Sequence, residues 1–167
     1  PKVSQAALAV LRSAGLHVSI PRRDLCCGRP LYDFGLLAEA KTSLQRILRE
    51  LAREIDSGCP IVVLEPSCAS VFRDELRNLF PDDARAERLR KQTFVLSEFL
   101  ARHVPDYQPP ALAGPVLLHG HCHQKALMKM DHTEFLLRTM GSDLQSPYAG
   151  CCGMAGAFGF AAETLAV

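Results

Sequence analysis

Net charge is nearly absent from this chain: 19 basic against 18 acidic residues leave a formal +1. Nucleic-acid binders carry a clear basic excess, so that class is not expected. No apolar run reaches membrane-spanning length and no secretory leader is recognisable, which makes a reducing cytoplasm the expected location. The glycine-rich run Gly153-Met154-Ala155-Gly156-Ala157-Phe158-Gly159 lacks the Lys-Ser/Thr of a phosphate loop and the strand-first glycine order of a dinucleotide fold. An even cysteine count is lacking too. With seven, a fully disulfide-bonded framework leaves at least one thiol over. Apolar residues are plentiful: 48% of 167 residues can bury a core as one domain or two small lobes. The chain opens at Pro1 inside an amphipathic segment and stops soon after a motif, and it reads as a fragment of something longer.

Two Cys-Cys-Gly triplets stand out, Cys26-Cys27-Gly28 and Cys151-Cys152-Gly153, about 125 positions apart. Ala14-Gly15-Leu16-His17-Val18 leads into the first and Met140-Gly141-Ser142-Asp143-Leu144 into the second. In each, a helix ends at Gly, a short strand follows, and the paired thiols come next. Phe34-Gly35 trails the first pair as Phe158-Gly159 trails the second. Matched flanks imply a duplicated unit built to present thiolates, the metal-binding and nucleophilic form of cysteine.

Periodicity organises the rest. Val3, Ala6, Ala7, Val10, Leu11 and Ala14 share one helical stripe, capped at Gly15. Leu16 to Ile20 reads as a strand, and Leu37 to Ile55 as one long amphipathic helix. Ile61-Val62-Val63-Leu64 is apolar enough for a strand buried on both faces. Cys68 opens a helix whose stripe is Phe72, Leu76, Leu79 and Phe80, ending at Pro81. Asp82 to Lys91 is expected to be a solvated helix, followed by another with Val95, Phe99 and Leu100. Residues 105–115 hold four prolines and a glycine and form a linker between a first lobe, 1–104, and a second, 116–167. Val116-Leu117-Leu118 is a strand leading through His119-Gly120-His121-Cys122-His123 into a helix reaching about Met140. The predicted fold is therefore α/β: two pseudo-repeated lobes with mostly parallel sheets flanked by helices.

Ligands of such sheets lie beyond the carboxyl ends of the strands, where Cys68 and Cys122 are expected, each at a helix start. There the unpaired N–H groups and partial positive charge stabilise a thiolate. Neighbouring cysteines bridge to each other only with strain, so each pair is better suited to offering two sulfurs to one metal centre. Gly28 and Gly153, without a Cβ, leave room for a bulky cofactor.

The segments Leu25-Cys26-Cys27-Gly28-Arg29-Pro30-Leu31-Tyr32-Asp33-Phe34-Gly35, Glu65-Pro66-Ser67-Cys68, His121-Cys122-His123 and Gly150-Cys151-Cys152-Gly153-Met154-Ala155-Gly156 resemble the CCG-type cysteine-rich domain. That domain occurs in heterodisulfide reductase, in the iron–sulfur subunit of glycolate oxidase and in anaerobic glycerol-3-phosphate dehydrogenase. The chain looks most similar to the C-terminal part of fused FAD-linked oxidase and iron–sulfur oxidoreductase proteins. The resemblance implies two metal sites, Cys26, Cys27 and Cys68 in the first and Cys122, Cys151 and Cys152 in the second. It implies a 4Fe–4S or noncubane cluster, with zinc in some members, and FAD in the parent protein but not in this part. Implied partners are FAD-binding and ferredoxin-like domains and a peripheral link to a quinone-reducing chain. The implied activity is electron transfer in a dehydrogenase acting on a small D-2-hydroxy acid.

Departures from that pattern bear on the metal. The chain has no Cys-x-x-Cys, and Glu65 stands where the first Cys of one such pair would fall. Each site thus has three thiols, one fewer than a cluster usually takes. Three thiols with one nitrogen or oxygen donor suit tetrahedral zinc, and Glu65 or His121 could supply it. The alternative reading is a noncatalytic zinc scaffold that docks a flavoprotein domain to its partner. A Cys–His nucleophile enzyme built on Cys122 would leave both Cys-Cys-Gly pairs unexplained. His119, His121 and His123 alternate and would share a side if extended. Cys59 matches no motif and is expected to be a packed, inert thiol. Arg22, Arg23 and Arg29 are expected to be solvated, and Met128, Met130 and Met140 to fill core.

Overall fold

The computed structural model describes residues 2–147, 150, 152, 154 and 162–164. Cys151, Gly153 and the Phe158-Gly159 trailer lie outside the described residues, and with them most of the second Cys-Cys-Gly unit.

Helix α1 (Lys2–Ser13) buries Ala7 and Leu11 and ends at Gly15, whose φ of 77° is the left-handed geometry glycine adopts without cost to a Cβ. After α2 (Arg29–Asp33), the amphipathic segment forms two helices, α3 (Leu37–Glu50) and α4 (Ala52–Asp56), instead of one. Leu51, at φ −98° and ψ 13°, interrupts the helical dihedrals, although the Ile55 N–H still donates to Leu51 O at 2.9 Å. Strand β1 (Ile61–Val62) precedes α5 (Pro66–Ser70), a π-helical turn (Val71–Glu75) and α6 (Leu76–Leu79). Then come α7 (Ala84–Gln92), β2 (Thr93–Phe94) and α8 (Leu96–His103). The second half comprises β3 (Gly114–Leu117), a second π-helical turn (Gln124–Met128), α9 (Asp131–Thr139), β4 (Ser142–Gln145) and a 3-10 turn (Ala162–Thr164).

The fold is α/β, with two small sheets, β1–β2 and β3–β4, both parallel and both flanked by helices. Ile61 registers with Thr93, and Gly114 with Ser142. The larger core gathers Leu44, Ile47, Leu48, Leu51, Ile55, Val71, Phe72, Leu76, Ala86 and Leu89, and takes in Cys27. A second cluster of Leu11, Phe94, Phe99 and Leu100 is joined from the other half by Leu136 of α9. The halves also meet where α5 packs on the second π-helical turn and α8 on α9.

Several expectations are corrected. Leu16 to Ile20 is not a strand: Leu16 and Val18 pack on the second cluster, and Ser19–Arg22 line a cavity of about 460 Å³ together with Pro60–Val62. Ile61 and Val62 are half-buried and Leu64 is exposed, so β1 is not covered on both faces. Its partner β2 carries too few residues for a periodic signal, and pairing rather than pattern defines it. The helix expected to run to Met140 is divided at Lys129, whose φ of 61° cannot continue it. Helix α7 is not wholly solvated, since Ala86 and Leu89 enter the main core.

Candidate metal and redox site

Glu65 begins the site. It caps α5, its carboxylate accepting from the Ser67 N–H at 3.1 Å and hydroxyl at 2.6 Å. Pro66 follows at the first turn, where a missing N–H costs nothing, and Cys68 comes two residues later. Cys68 therefore lies just beyond β1 at a helix start, as the sequence predicts. The Cys27 and Cys68 sulfurs lie 2.8 Å apart, although the residues are 41 positions apart in sequence. Cys27 is 6% exposed. Cys26 is exposed, and its sulfur accepts from the Gly28 N–H at 3.4 Å. Two of the three first-site thiols are thus brought into contact, and Cys26 is not grouped with them as a third ligand.

That contact divides the pair. The hydrogen bond from Cys68 pulls the Cys27 thiol down to about 7 against the opposing effect of burial, with help from the backbone and charge of Arg29. The same bond pushes Cys68 up, as do burial and the negative charge of Cys27, Glu65 and Cys26. The two shifts run in opposite directions, so Cys27 is the thiol that gives up its proton first. A soft metal can replace such a proton, because thiolates are its preferred donors.

Gly28 takes φ 74°, and a Cβ there would lie 3.2 Å from the Ala40 Cα and 3.3 Å from its carbonyl oxygen. The close approach that requires glycine is to α3. Arg29 is not solvated either. Its side chain is 14% exposed, paired with Glu75 and lying 3.2 Å from Asp33, and its Nη2 is 2.7 Å from His123 Nε2. Glu75 and the π-helical turn that carries it had no motif to announce them, and Asp33 stood in the first Cys-Cys-Gly segment with no role assigned. Arg23 pairs with Glu50 at the surface.

In the second half, His121, Cys122 and His123 offer ligand atoms within 4.8 Å of one another. Cys122 is exposed and lies at the start of the helical segment after β3, as expected. The His121 and His123 rings lie 5.3 Å apart, and His121 Nδ1 accepts from the His123 N–H at 3.2 Å. His119 does not join them. Burial lowers the His123 pKa, as do Arg29 and His121, while Glu75 and Asp33 oppose this. His121 Nε2 comes within 3.9 Å of Glu65. Burial pushes the Glu65 carboxyl up, but bonds from Ser67 and the charges of His121 and His123 leave it below the usual range. Through Glu65–His121 and Arg29–His123, the two halves converge on one region.

Cys152 is exposed and Cys151 lies outside the described residues. Among the described residues no four cysteines cluster, and the His/Cys trio is the potential metal-binding group. Cys59 is exposed, not packed: it lines the 460 Å³ cavity beside Pro60. Met128 is buried, against Ala69 and Val95. No described helix is long and apolar enough to cross a membrane.

The family model of the CCG cysteine-rich domain matches residues 1–73, the stretch that holds Cys26, Cys27 and Cys68. This part is similar to CCG-type cysteine-rich domains. Across almost its whole length the chain is distantly related to proteins named lactate utilization protein A. That of Bacillus pumilus (strain SAFR-032) is 28% identical, the match covering 95% of this chain and 68% of the relative. That of Shouchella clausii (strain KSM-K16) is 29% identical with the same coverage, and that of Bacillus velezensis is 28% identical over 93% and 67%. No solved structure matches the chain.

Proposed function

We propose that this chain is the iron–sulfur electron-transfer part of a FAD-linked dehydrogenase assembly that oxidises a small D-2-hydroxy acid such as lactate. The observation that carries the reading is the Cys27–Cys68 pair, two sulfurs 2.8 Å apart at the edge of the main core, with the acidity of Cys27 raised by its neighbour. The distant relatives named for lactate utilization support the substrate class. Cys26, Cys27 and Cys68 would hold a first centre, and Cys122, Cys151 and Cys152 a second. A bound iron–sulfur cluster supplies one-electron transfer. The chain's own residues contribute exclusion of water around Cys27, a fixed positive charge at Arg29, and thiolate character set by the Cys68 bond. FAD-binding and ferredoxin-like domains are the partners in this reading, a quinone-reducing chain the acceptor, and the cytoplasm the location.

A second reading has its own support in the mixed His121–Cys122–His123 donors. Nitrogen and sulfur together suit tetrahedral zinc, and a zinc scaffold could dock a flavoprotein domain without transferring electrons. Full-length protein purified without oxygen distinguishes the two. Iron and acid-labile sulfide with a broad visible thiolate-to-iron band, reduced by the first centre's share in Cys27→Ser and Cys68→Ser, are expected for the electron-transfer part. Stoichiometric zinc with no such band overturns it in favour of the scaffold.

A further inference from the structure

We propose that Arg29 is a positioning residue that holds His123 as an N–H donor at Nδ1, so that His123 is not a metal ligand and its free N–H is poised to donate to a ligating sulfur once the site is filled. The inference deepens the reading of this region as a thiolate-based metal centre, and it rests on that reading.

A guanidinium has only donors. With Arg29 Nη2 at 2.7 Å from His123 Nε2, that ring nitrogen must accept, and its lone pair is spent. The neutral imidazole then carries its single proton on Nδ1. Arg29 is not free to leave, because Glu75 holds Nη1 and Asp33 lies 3.2 Å from Nε in a largely buried setting. A metal at Nε2 would displace the guanidinium and set a cation against it. A metal at Nδ1 would drive the ring proton to Nε2, pointing donor at donor. Proximity alone makes His123 a third ligand, and the Arg29 bond argues against it.

What remains is a buried donor without a partner. His123 Nδ1 is enclosed and makes no hydrogen bond among the described residues. A buried N–H calls for an acceptor; the Cys122 sulfur does not accept from it in the metal-free chain, but as a neighbour in the same trio it is the thiolate that metal binding would bring into reach. Hydrogen bonds to ligating sulfurs set the properties of thiolate centres. His121 is held differently: one 3.2 Å backbone bond and a 3.9 Å approach to Glu65 leave its half-exposed ring able to turn onto a metal.

Long-range proton–nitrogen NMR of the ¹⁵N-histidine-labelled, metal-free full chain reads the tautomer directly. The proton is expected on Nδ1 of His123, with Arg29→Met redistributing it to Nε2. A wild-type proton on Nε2 overturns the proposal, and that measurement stands even if the variant does not fold. Cobalt(II) alone is the second probe. His123→Gln, which keeps a donor, is expected to bind it within about threefold of wild type, and His123→Ala about tenfold more weakly, the range for outer partners of a metal site. Loss in His123→Gln as large as in Cys122→Ser would make His123 a ligand and sink the idea. Absence of iron in the anaerobic protein would overturn the electron-transfer reading while leaving the tautomer result intact.

Discussion

Cys68 and Cys122 occupy the same local device in two different settings. Each follows a parallel strand, opens a helical segment and is succeeded within three residues by a π-helical turn, Val71–Glu75 or Gln124–Met128. Such turns are rare and frequent at functional sites, and their recurrence is a further mark of the duplication suggested by the Cys-Cys-Gly triplets. The surroundings then diverge. Cys68 is half-buried against Cys27, inside the layer formed by α3 and the Val71–Glu75 turn. Cys122 is exposed between two imidazoles, in a half whose helix α9 buries no residue. One device thus presents a sulfur pair in the first half and mixed sulfur and nitrogen in the second. Burial and neighbours, not the local backbone, decide which metal chemistry each half can support.

The comparison is tested most strongly in the cores. Leu76→Ala, at a fully enclosed position, is expected to cost about 2–5 kcal/mol in denaturant unfolding, the range for emptying a packed leucine site. Leu136→Ala on half-buried α9 should cost about 1 kcal/mol, in proportion to the smaller apolar area it covers. Equal losses would mean that the second half is as tightly packed as the first.

Next in size is the thiol pair. In metal-free protein, thiolate ultraviolet absorbance from Cys27 should grow as pH rises through about 7. The shift is downward, so the charged form dominates above that value and is lost below it. Cys68→Ala removes its largest cause and should move the midpoint up towards the ordinary thiol range. A midpoint unmoved by that substitution would assign the effect to Arg29.

The two lead-ins offer a smaller, paired test. Gly15 and Gly141, at φ 77° and 83°, both turn the chain out of a helix with open space where a Cβ would stand. Gly15→Ala and Gly141→Ala should each cost about 1–2 kcal/mol, the left-handed penalty alone. Markedly unequal costs would break the equivalence of the two turns. Smallest is Lys129→Gly, which relieves φ 61° in a non-glycine residue and should raise stability by roughly 1 kcal/mol.

Residue types and spacing were enough to read the α/β class, the parallel pairing, the helix starts at Cys68 and Cys122, and the glycine turns at Gly15 and Gly141. Each depends on short-range chemistry: a periodic stripe, a cap, or a φ that only glycine accepts at little cost. The Ser142–Gln145 strand that follows Gly141 is present because β3 pairs with it, whereas Leu16–Ile20 after Gly15 has the same lead-in and no ladder. Strand identity is a property of the partner as much as of the segment.

The site divides along the same line. Thiols in Cys-Cys-Gly and His-Cys-His patterns are visible in the sequence because sulfur and imidazole are rare and chemically distinctive. The meeting of Cys27 with Cys68, and the recruitment of Arg29 by Glu75 and His123, join residues 41 to 94 positions apart. Arg29 looks like any surface arginine in one dimension. Only the packing of α2 against α3, with Gly28 pressed onto Ala40, carries it inward to where its charge must find partners. Local chemistry therefore chose the donors, and tertiary packing decided which of them come together.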